Sequence, residues 1–183
     1  KDTSYRELFE MADRIAGLIE QELTDTQDIV GHGIGTSLND KSLLMPTIMA
    51  ILKLGMYYVP IDISLPQQIQ DFIISESKCL FVVTDAILSG EKEKEEKQRR
   101  SKVTIAGNCT AYVIFTSGST GMPKGTPISH GSLMTFCHNA CHVTGIDSHS
   151  RMLQYANKGF DASIYELFPV LTVGGTLVFP TEE

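Results

Sequence analysis

Tyr112-Val-Ile-Phe-Thr-Ser-Gly-Ser-Thr-Gly-Met-Pro-Lys-Gly125 decides how this chain is read. With Ala111 in front, its first residues are apolar, aromatic and β-branched, which predicts a buried strand over 111–115. The strand runs straight into glycines, hydroxyls and one lysine. Gly118, Gly121 and Gly125 permit turns closed to other residues and let backbone N–H groups approach an anion. Thr116, Ser117, Ser119 and Thr120 add hydroxyl donors, and Lys124 adds a positive charge that can meet phosphate oxygens. Composition alone also allows a Ser/Gly-rich surface turn. A lysine placed behind Pro123, after a strongly β-forming run, argues against that and for a phosphate cradle. It is not a Walker A loop, which needs Gly-x-x-x-x-Gly-Lys-Ser/Thr opening a helix. Here Pro123 precedes the lysine and Gly125 follows it.

Outward from this loop the pattern alternates. Upstream, Ser4 to Leu23 carries apolar residues at three- and four-residue steps, with Ser4 and Glu7 in capping-box spacing. A glycine-rich strand candidate covers 28–36, with Gly31-His-Gly-Ile-Gly35 read as strand end and turn. A helix over 43–54 stops at Gly55. Tyr57-Tyr-Val59 reads as a short strand ending at Pro60, and 67–77 as a helix. Cys79-Leu-Phe-Val-Val-Thr84 is a continuous apolar run, the pattern of a strand buried on both faces. Downstream come an extended piece over 126–129 and a helix over 131–143. A strand near 152–156, a helix near 162–171 and a strand over 176–179 complete the pattern. Strand–helix alternation of this kind predicts an α/β fold with a mostly parallel sheet.

Composition excludes several classes. At 183 residues the chain is one domain or a domain and a piece of another. Its net charge of −7 lacks the basic footprint of a nucleic-acid binder. No apolar run reaches the roughly 20 residues of a membrane span, and the polar first residues are not a signal peptide. Four Cys do not make a disulfide framework in a chain this long, so reduced thiols and a cytoplasmic location are expected. Residues 91–102 are a charged run with no apolar residue, expected as a solvated surface loop. A first residue that is Lys, and an end just behind an apolar run, suggest a cut piece.

Thr116–Gly125 resembles the phosphate-binding signature of the adenylate-forming enzymes, which include acyl-CoA synthetases, luciferases and the adenylation domains of nonribosomal peptide synthetases. Three further segments agree with it in order. Leu52-Lys-Leu-Gly-Met-Tyr-Tyr-Val-Pro-Ile-Asp62 is similar to an adenylation-domain motif, and Ser4-Tyr-Arg-Glu-Leu8 to the family's first motif. Phe160-Asp-Ala-Ser163, with Glu166 and Gly174-Gly-Thr-Leu-Val178, is similar to its fourth. The last two favour the peptide-synthetase branch. The resemblance implies layered, mostly parallel sheets flanked by helices, part of a large N-terminal subdomain. It also implies that 1–183 is the N-terminal portion of an AMP-binding domain whose C-terminal lid subdomain is absent.

Roles follow from the resemblance residue by residue. Thr116, Ser117, Gly118, Ser119, Thr120, Gly121, Lys124 and Gly125 would hold the phosphates of ATP, with Lys124 and Thr116 acting in catalysis. Asp161 would pair with the α-amino group of an amino acid, while Phe160, Ala162 and Tyr165 shape the side-chain pocket. Taken alone, Asp161 also fits a helix N-cap. The implied reaction joins an amino-acid carboxylate to the α-phosphate of ATP with Mg²⁺. The aminoacyl group then passes to phosphopantetheine on a carrier protein beside condensation-type domains. An acyl- or aryl-CoA ligase and a non-catalytic nucleotide-binding module are the alternatives. The family's Asn-x-Tyr-Gly-Pro-Thr-Glu and Thr-Gly-Asp segments are missing from the sequence, so the chain alone is expected to be inactive and to supply no metal ligand. Ile63-Ser64 and Gln68-Ile69 depart from the family pattern away from the chemistry.

Two signals are set aside. Cys137, His138, Cys141 and His142 form two interleaved pairs whose directions differ by about 100°, so four ligands cannot converge on one metal. His130 has no Ser/His/Asp spacing around it.

Overall fold

The computed structural model describes residues 2–23, 29–90, 104–116 and 122–180. The charged run 91–102 and the loop residues Ser117, Gly118, Ser119, Thr120 and Gly121 lie outside the described residues.

Helix α1 (Tyr5–Glu22) starts where the sequence places it. The Glu7 amide donates to the Ser4 hydroxyl at 3.3 Å, and the Ser4 amide donates back to the Glu7 carboxylate at 2.7 Å. Two of the helix's orphan donors are thereby satisfied. Ala12, Ile15, Ala16 and Ile19 form its buried stripe. A turn then leads into β1 (Gly33–Ser37), with Gly31 at φ +78°. The glycines of 31–35 thus open a strand rather than close one. Gly33 is needed for close approach: a Cβ there would lie 2.7 Å from the Tyr57 ring and 2.9 Å from the Ser77 carbonyl.

A 3-10 turn, Lys41–Leu43, feeds α2 (Leu44–Lys53), which is apolar on nearly all sides and correspondingly buried. β2 (Tyr57–Pro60), α3 (Gln67–Glu76), β3 (Cys79–Thr84) and the short α4 (Asp85–Ser89) follow. Beyond them lie β4 (Thr110–Thr116), β5 (Lys124–Ser129), α5 (His130–Thr144), β6 (Arg151–Leu153), α6 (Asp161–Thr172) and β7 (Thr176–Val178). Five strands form one sheet in the order β3-β1-β2-β4-β5, with β6 and β7 paired separately. Every pairing is parallel except β4 with β5. The expected α/β fold with mostly parallel sheets is what the chain adopts.

The sheet separates two apolar layers, as strand alternation requires. Tyr58, Tyr112 and Ile114 face the core built with α1, α2, α5 and α6. Tyr57, Val59 and Val113 face the other side, where Ile73 of α3 covers them. Fully burying a side chain such as Leu44, Ile48 or Ile51 contributes about 1.5–3 kcal/mol each. β3 departs from expectation: only Val83 is buried along it. Among the described residues it is an edge strand paired to β1 alone, only partly buried along most of its length, and its apolar run does not mark full burial. The β6–β7 pair is fastened to the N-terminus by the Tyr5 hydroxyl, which donates to the Gly175 carbonyl at 2.7 Å.

Candidate functional site

The glycine-rich loop is the connection of an antiparallel hairpin. β4 and β5 pair from Thr110↔Ser129 to Thr116↔Lys124, so the first and last polar residues of the cradle stand opposite each other. Both are exposed. The antiparallel step adds one strand to a parallel sheet and puts the loop at the carboxyl end of β4, where open α/β sheets bind ligands. Gly125 has a reason of its own: a Cβ would lie 2.9 Å from the tip of the Phe115 ring opposite it. Its glycine serves this close packing as well as the loop.

Beside the hairpin lies a hollow of about 440 Å³. Its walls include Tyr112, Ile114 and Thr116 from β4, Phe136 from α5, and Asp161 and Tyr165 from α6. Ala162 also lines it. Four predicted residues, Thr116, Asp161, Ala162 and Tyr165, are therefore gathered around one space. Lys124 and Gly125 are on the hairpin but not among its lining residues, and neither is Phe160, which is 64% exposed. Phe136 and Tyr165 meet edge to face, with centroids 6.2 Å apart at 67°, a favoured aromatic geometry.

Asp161 is the first residue of α6 and does not cap it; the N-cap is Phe160, which makes no side-chain capping bond. A carboxylate in the first turn is favoured by the helix dipole by about 0.3–1 kcal/mol. Ser163 tightens this turn, its hydroxyl donating to the carbonyls of Phe160 at 2.6 Å and Lys158 at 3.1 Å. Asp161 itself makes no hydrogen bond or ion pair to the described residues. Its charge is nevertheless felt: the Tyr112 phenol is pushed up first by burial and then by Asp161. An apolar hollow with a carboxylate on its wall that has no partner among the described residues suits a cationic group.

Glu166, one turn further along α6, faces the preceding segment. Its carboxylate accepts from the amides of Tyr155 at 3.0 Å and Ala156 at 2.9 Å. That holds the connection from β6 against α6. Sequence reasoning missed Tyr112 and Phe136 as wall residues. Phe136 left one trace, an aromatic on a helix whose apolar residues do not form a clear stripe.

The signals set aside fall elsewhere. Cys137, His138, Cys141 and His142 border a second hollow of about 420 Å³. Burial, and then Cys141, pushes the Cys137 thiol up to about 11, which makes it a packing group rather than a nucleophile. Among the described residues no three His, Cys, Asp or Glu side chains gather as a metal site. Burial pushes His130 down. Among the described residues no helix is long and apolar enough to cross a membrane.

Comparison with known proteins gives a consistent picture. The family model described as AMP-binding enzyme matches residues 1–183. Bacitracin synthase 1 of Bacillus licheniformis is 32% identical over 95% of this chain, which spans 4% of that protein. The D-alanine–D-alanyl carrier protein ligase of Bacillus licheniformis is 31% identical over 98% of this chain, which spans 38% of it. Among solved structures, the Klebsiella oxytoca NpsA N-terminal subdomain in complex with 3-hydroxyanthranilyl-AMSN shares the fold with a TM-score of 0.83. Its identity is 20%, and the match covers 98% of this chain and 47% of that one. The chain thus spans well under two thirds of each of these.

Proposed function

The chain belongs to the AMP-binding enzyme family, and on that premise we propose that it is the N-terminal portion of an amino-acid adenylation domain. The reaction is attack of an amino-acid carboxylate on the α-phosphate of ATP, giving an aminoacyl-adenylate and pyrophosphate. The observation that carries this reading is the single hollow that brings Thr116, at the root of the phosphate-loop signature, together with Asp161, Ala162 and Tyr165. A nucleotide gripped at the hairpin would meet a substrate seated between α5 and α6.

Each residue has a role in it. Thr116 and Lys124, facing each other across the hairpin mouth, would hold phosphate oxygens together with Ser117, Gly118, Ser119, Thr120, Gly121 and Gly125. Lys124 offsets negative charge on the departing pyrophosphate. Asp161 takes the α-ammonium, which fixes the carboxylate's direction toward the hairpin. Ala162, Tyr165 and Phe136 bound the side-chain space, with Phe160 at its margin. Mg²⁺, expected with ATP, finds no set of three ligands among the described residues. Transfer to phosphopantetheine on a carrier protein is the step that would follow, within a multidomain synthetase with condensation-type domains. The names of the two relatives support this: one is a bacitracin synthase, the other a D-alanyl carrier protein ligase.

A second reading, activation of an aryl acid, is suggested by the 3-hydroxyanthranilyl-AMSN named with the NpsA subdomain. Asp161 separates the two, because a plain acid leaves that carboxylate unpaired. The test is ATP–pyrophosphate exchange by the full polypeptide carrying this chain, across amino acids and aryl and fatty acids. Exchange driven by one or a few amino acids is expected. Exchange with plain acids only would overturn the amino-acid reading.

A further inference from the structure

Two residues just ahead of Asp161 are tied to distant parts of the chain. Lys158 Nζ donates to the Leu38 carbonyl at 2.6 Å, across 120 residues of sequence. Asn157 Nδ2 donates to Asp62 Oδ2 at 2.7 Å, across 95 residues. Leu38 follows β1 and Asp62 follows β2, so both anchors stand at the carboxyl end of the parallel sheet. Asp85, which follows β3, receives the Asn39 and Asp40 amides at 2.8 and 3.1 Å and holds the first anchor's loop in place. Burial pushes the half-buried Lys158 ammonium down, Asp85 and then Lys41 acting on it in opposite directions, with Asp40 and Asp62 also favouring its charge.

The same two residues lead directly into the substrate wall. The Phe160 amide donates to the Asn157 carbonyl at 3.0 Å, and the Ser163 hydroxyl donates to the Lys158 carbonyl. Asp161 lies inside that bonded turn. We infer that Lys158, assisted by Asn157, is a positioning residue that fixes Asp161 by pinning the start of α6 to the ends of β1 and β2. This rests on the proposed role of Asp161. Losing the link would let the turn swing, and a shift of about 1 Å at a substrate-orienting group can cost roughly a hundredfold in rate. Removing the ammonium also leaves the Leu38 carbonyl without its partner.

The experiment compares Lys158→Met and Lys158→Arg in the full polypeptide carrying this chain. Amide hydrogen exchange and pyrophosphate-exchange kinetics are measured on both. Lys158→Met is expected to speed exchange at residues 157–164 while leaving the α1 and α2 amides unchanged. It is also expected to raise the KM for the acid substrate roughly tenfold or more with little change in the KM for ATP. Lys158→Arg, which keeps a donor and a charge, is expected to restore both. Unchanged exchange at 157–164, or exchange that quickens uniformly through the chain, would overturn the inference. So would equal damage by both variants. If the wild type activates only plain acids, or nothing, the amino-acid reading fails, while the hydrogen-exchange comparison still decides the positioning role.

Discussion

Replacing Asp161 by Asn tests the substrate side of the site most directly. The change keeps shape and a hydrogen-bond acceptor but removes the charge. In the free protein little should happen to stability, because the Asp161 carboxylate is exposed and makes no bond to the described residues; only the modest helix-dipole term is lost. In the proposed amino-acid complex the carboxylate would face an ammonium against the walls of Tyr112, Ile114, Phe136 and Tyr165. A hydrogen bond to a charged group contributes about 1.5–3 kcal/mol. The hollow is open to solvent on one side, so the lower part of that range applies, about 1.5–2 kcal/mol, or roughly ten- to thirtyfold in amino-acid KM. Pyrophosphate exchange by the full polypeptide reads this, and the KM for ATP should stay put. Titration of Tyr112 offers a check independent of activity. A neighbouring carboxylate disfavours the phenolate, so Asp161→Asn should lower the Tyr112 pKa while burial, the larger cause, keeps it above the usual value. NMR of ring-labelled tyrosine would follow it. An amino-acid KM within about twofold of wild type would refute the placement of Asp161 at the substrate, and a Tyr112 titration that does not move would refute its placement beside Tyr112 on the wall of the hollow.

Other consequences can be measured separately. Lys124→Met should raise the KM for ATP roughly tenfold or more with the amino-acid KM little changed; equal effects on both would assign Lys124 a structural role. Ser4→Ala removes half of the capping box and should cost about 1 kcal/mol, seen as a fall of about 2–4 °C in Tm by calorimetry. Tyr58→Phe should leave stability unchanged or slightly higher. The Tyr58 hydroxyl is fully buried and meets no partner in hydrogen-bond geometry among the described residues, while burial pushes the phenol up and the Thr36 side chain only partly offsets that push. A loss above about 1 kcal/mol on denaturant unfolding would show a partner bound there. At Asp85, partial burial pushes the carboxyl up, but bonds from the Asn39 and Asp40 amides outweigh it and hold the group below the usual value. A depressed carboxylate stabilises the fold above its unfolded pKa of about 4 and loses that as pH falls through the folded value. Asp85→Asn should therefore destabilise at neutral pH, with the gap from wild type closing below about pH 4; a gap that persists there would contradict it.

The parts of this molecule that were readable from the sequence share one property: their cause is local. Ser4 and Glu7 cap α1 through neighbours three residues apart, Gly55 ends α2 with its own φ of +77°, and the apolar periods place most helices and strands. Asp161 was legible only because a motif carries it; its local chemistry pointed to a cap that Phe160 occupies instead. What stayed hidden depends on partners distant in sequence. The apolar run of β3 looks alike at an edge or in a centre, because the pattern records what a strand can bury and not who lies beside it. The antiparallel sense of β5 likewise depends on its pairing with β4, which no period in the sequence records. Asn157 and Lys158 are the extreme case. In sequence they are two polar residues before a helix, as any loop would carry. Their bonds to Asp62 and Leu38 exist only because the parallel sheet brings the ends of β1 and β2 beneath the start of α6. A polar side chain bonded across such a distance leaves no periodic trace, since hydrogen bonding constrains its partner's position and not its spacing. A site motif therefore names the residues that touch a ligand, while those that hold the ligand-touching residues still must be found in the fold.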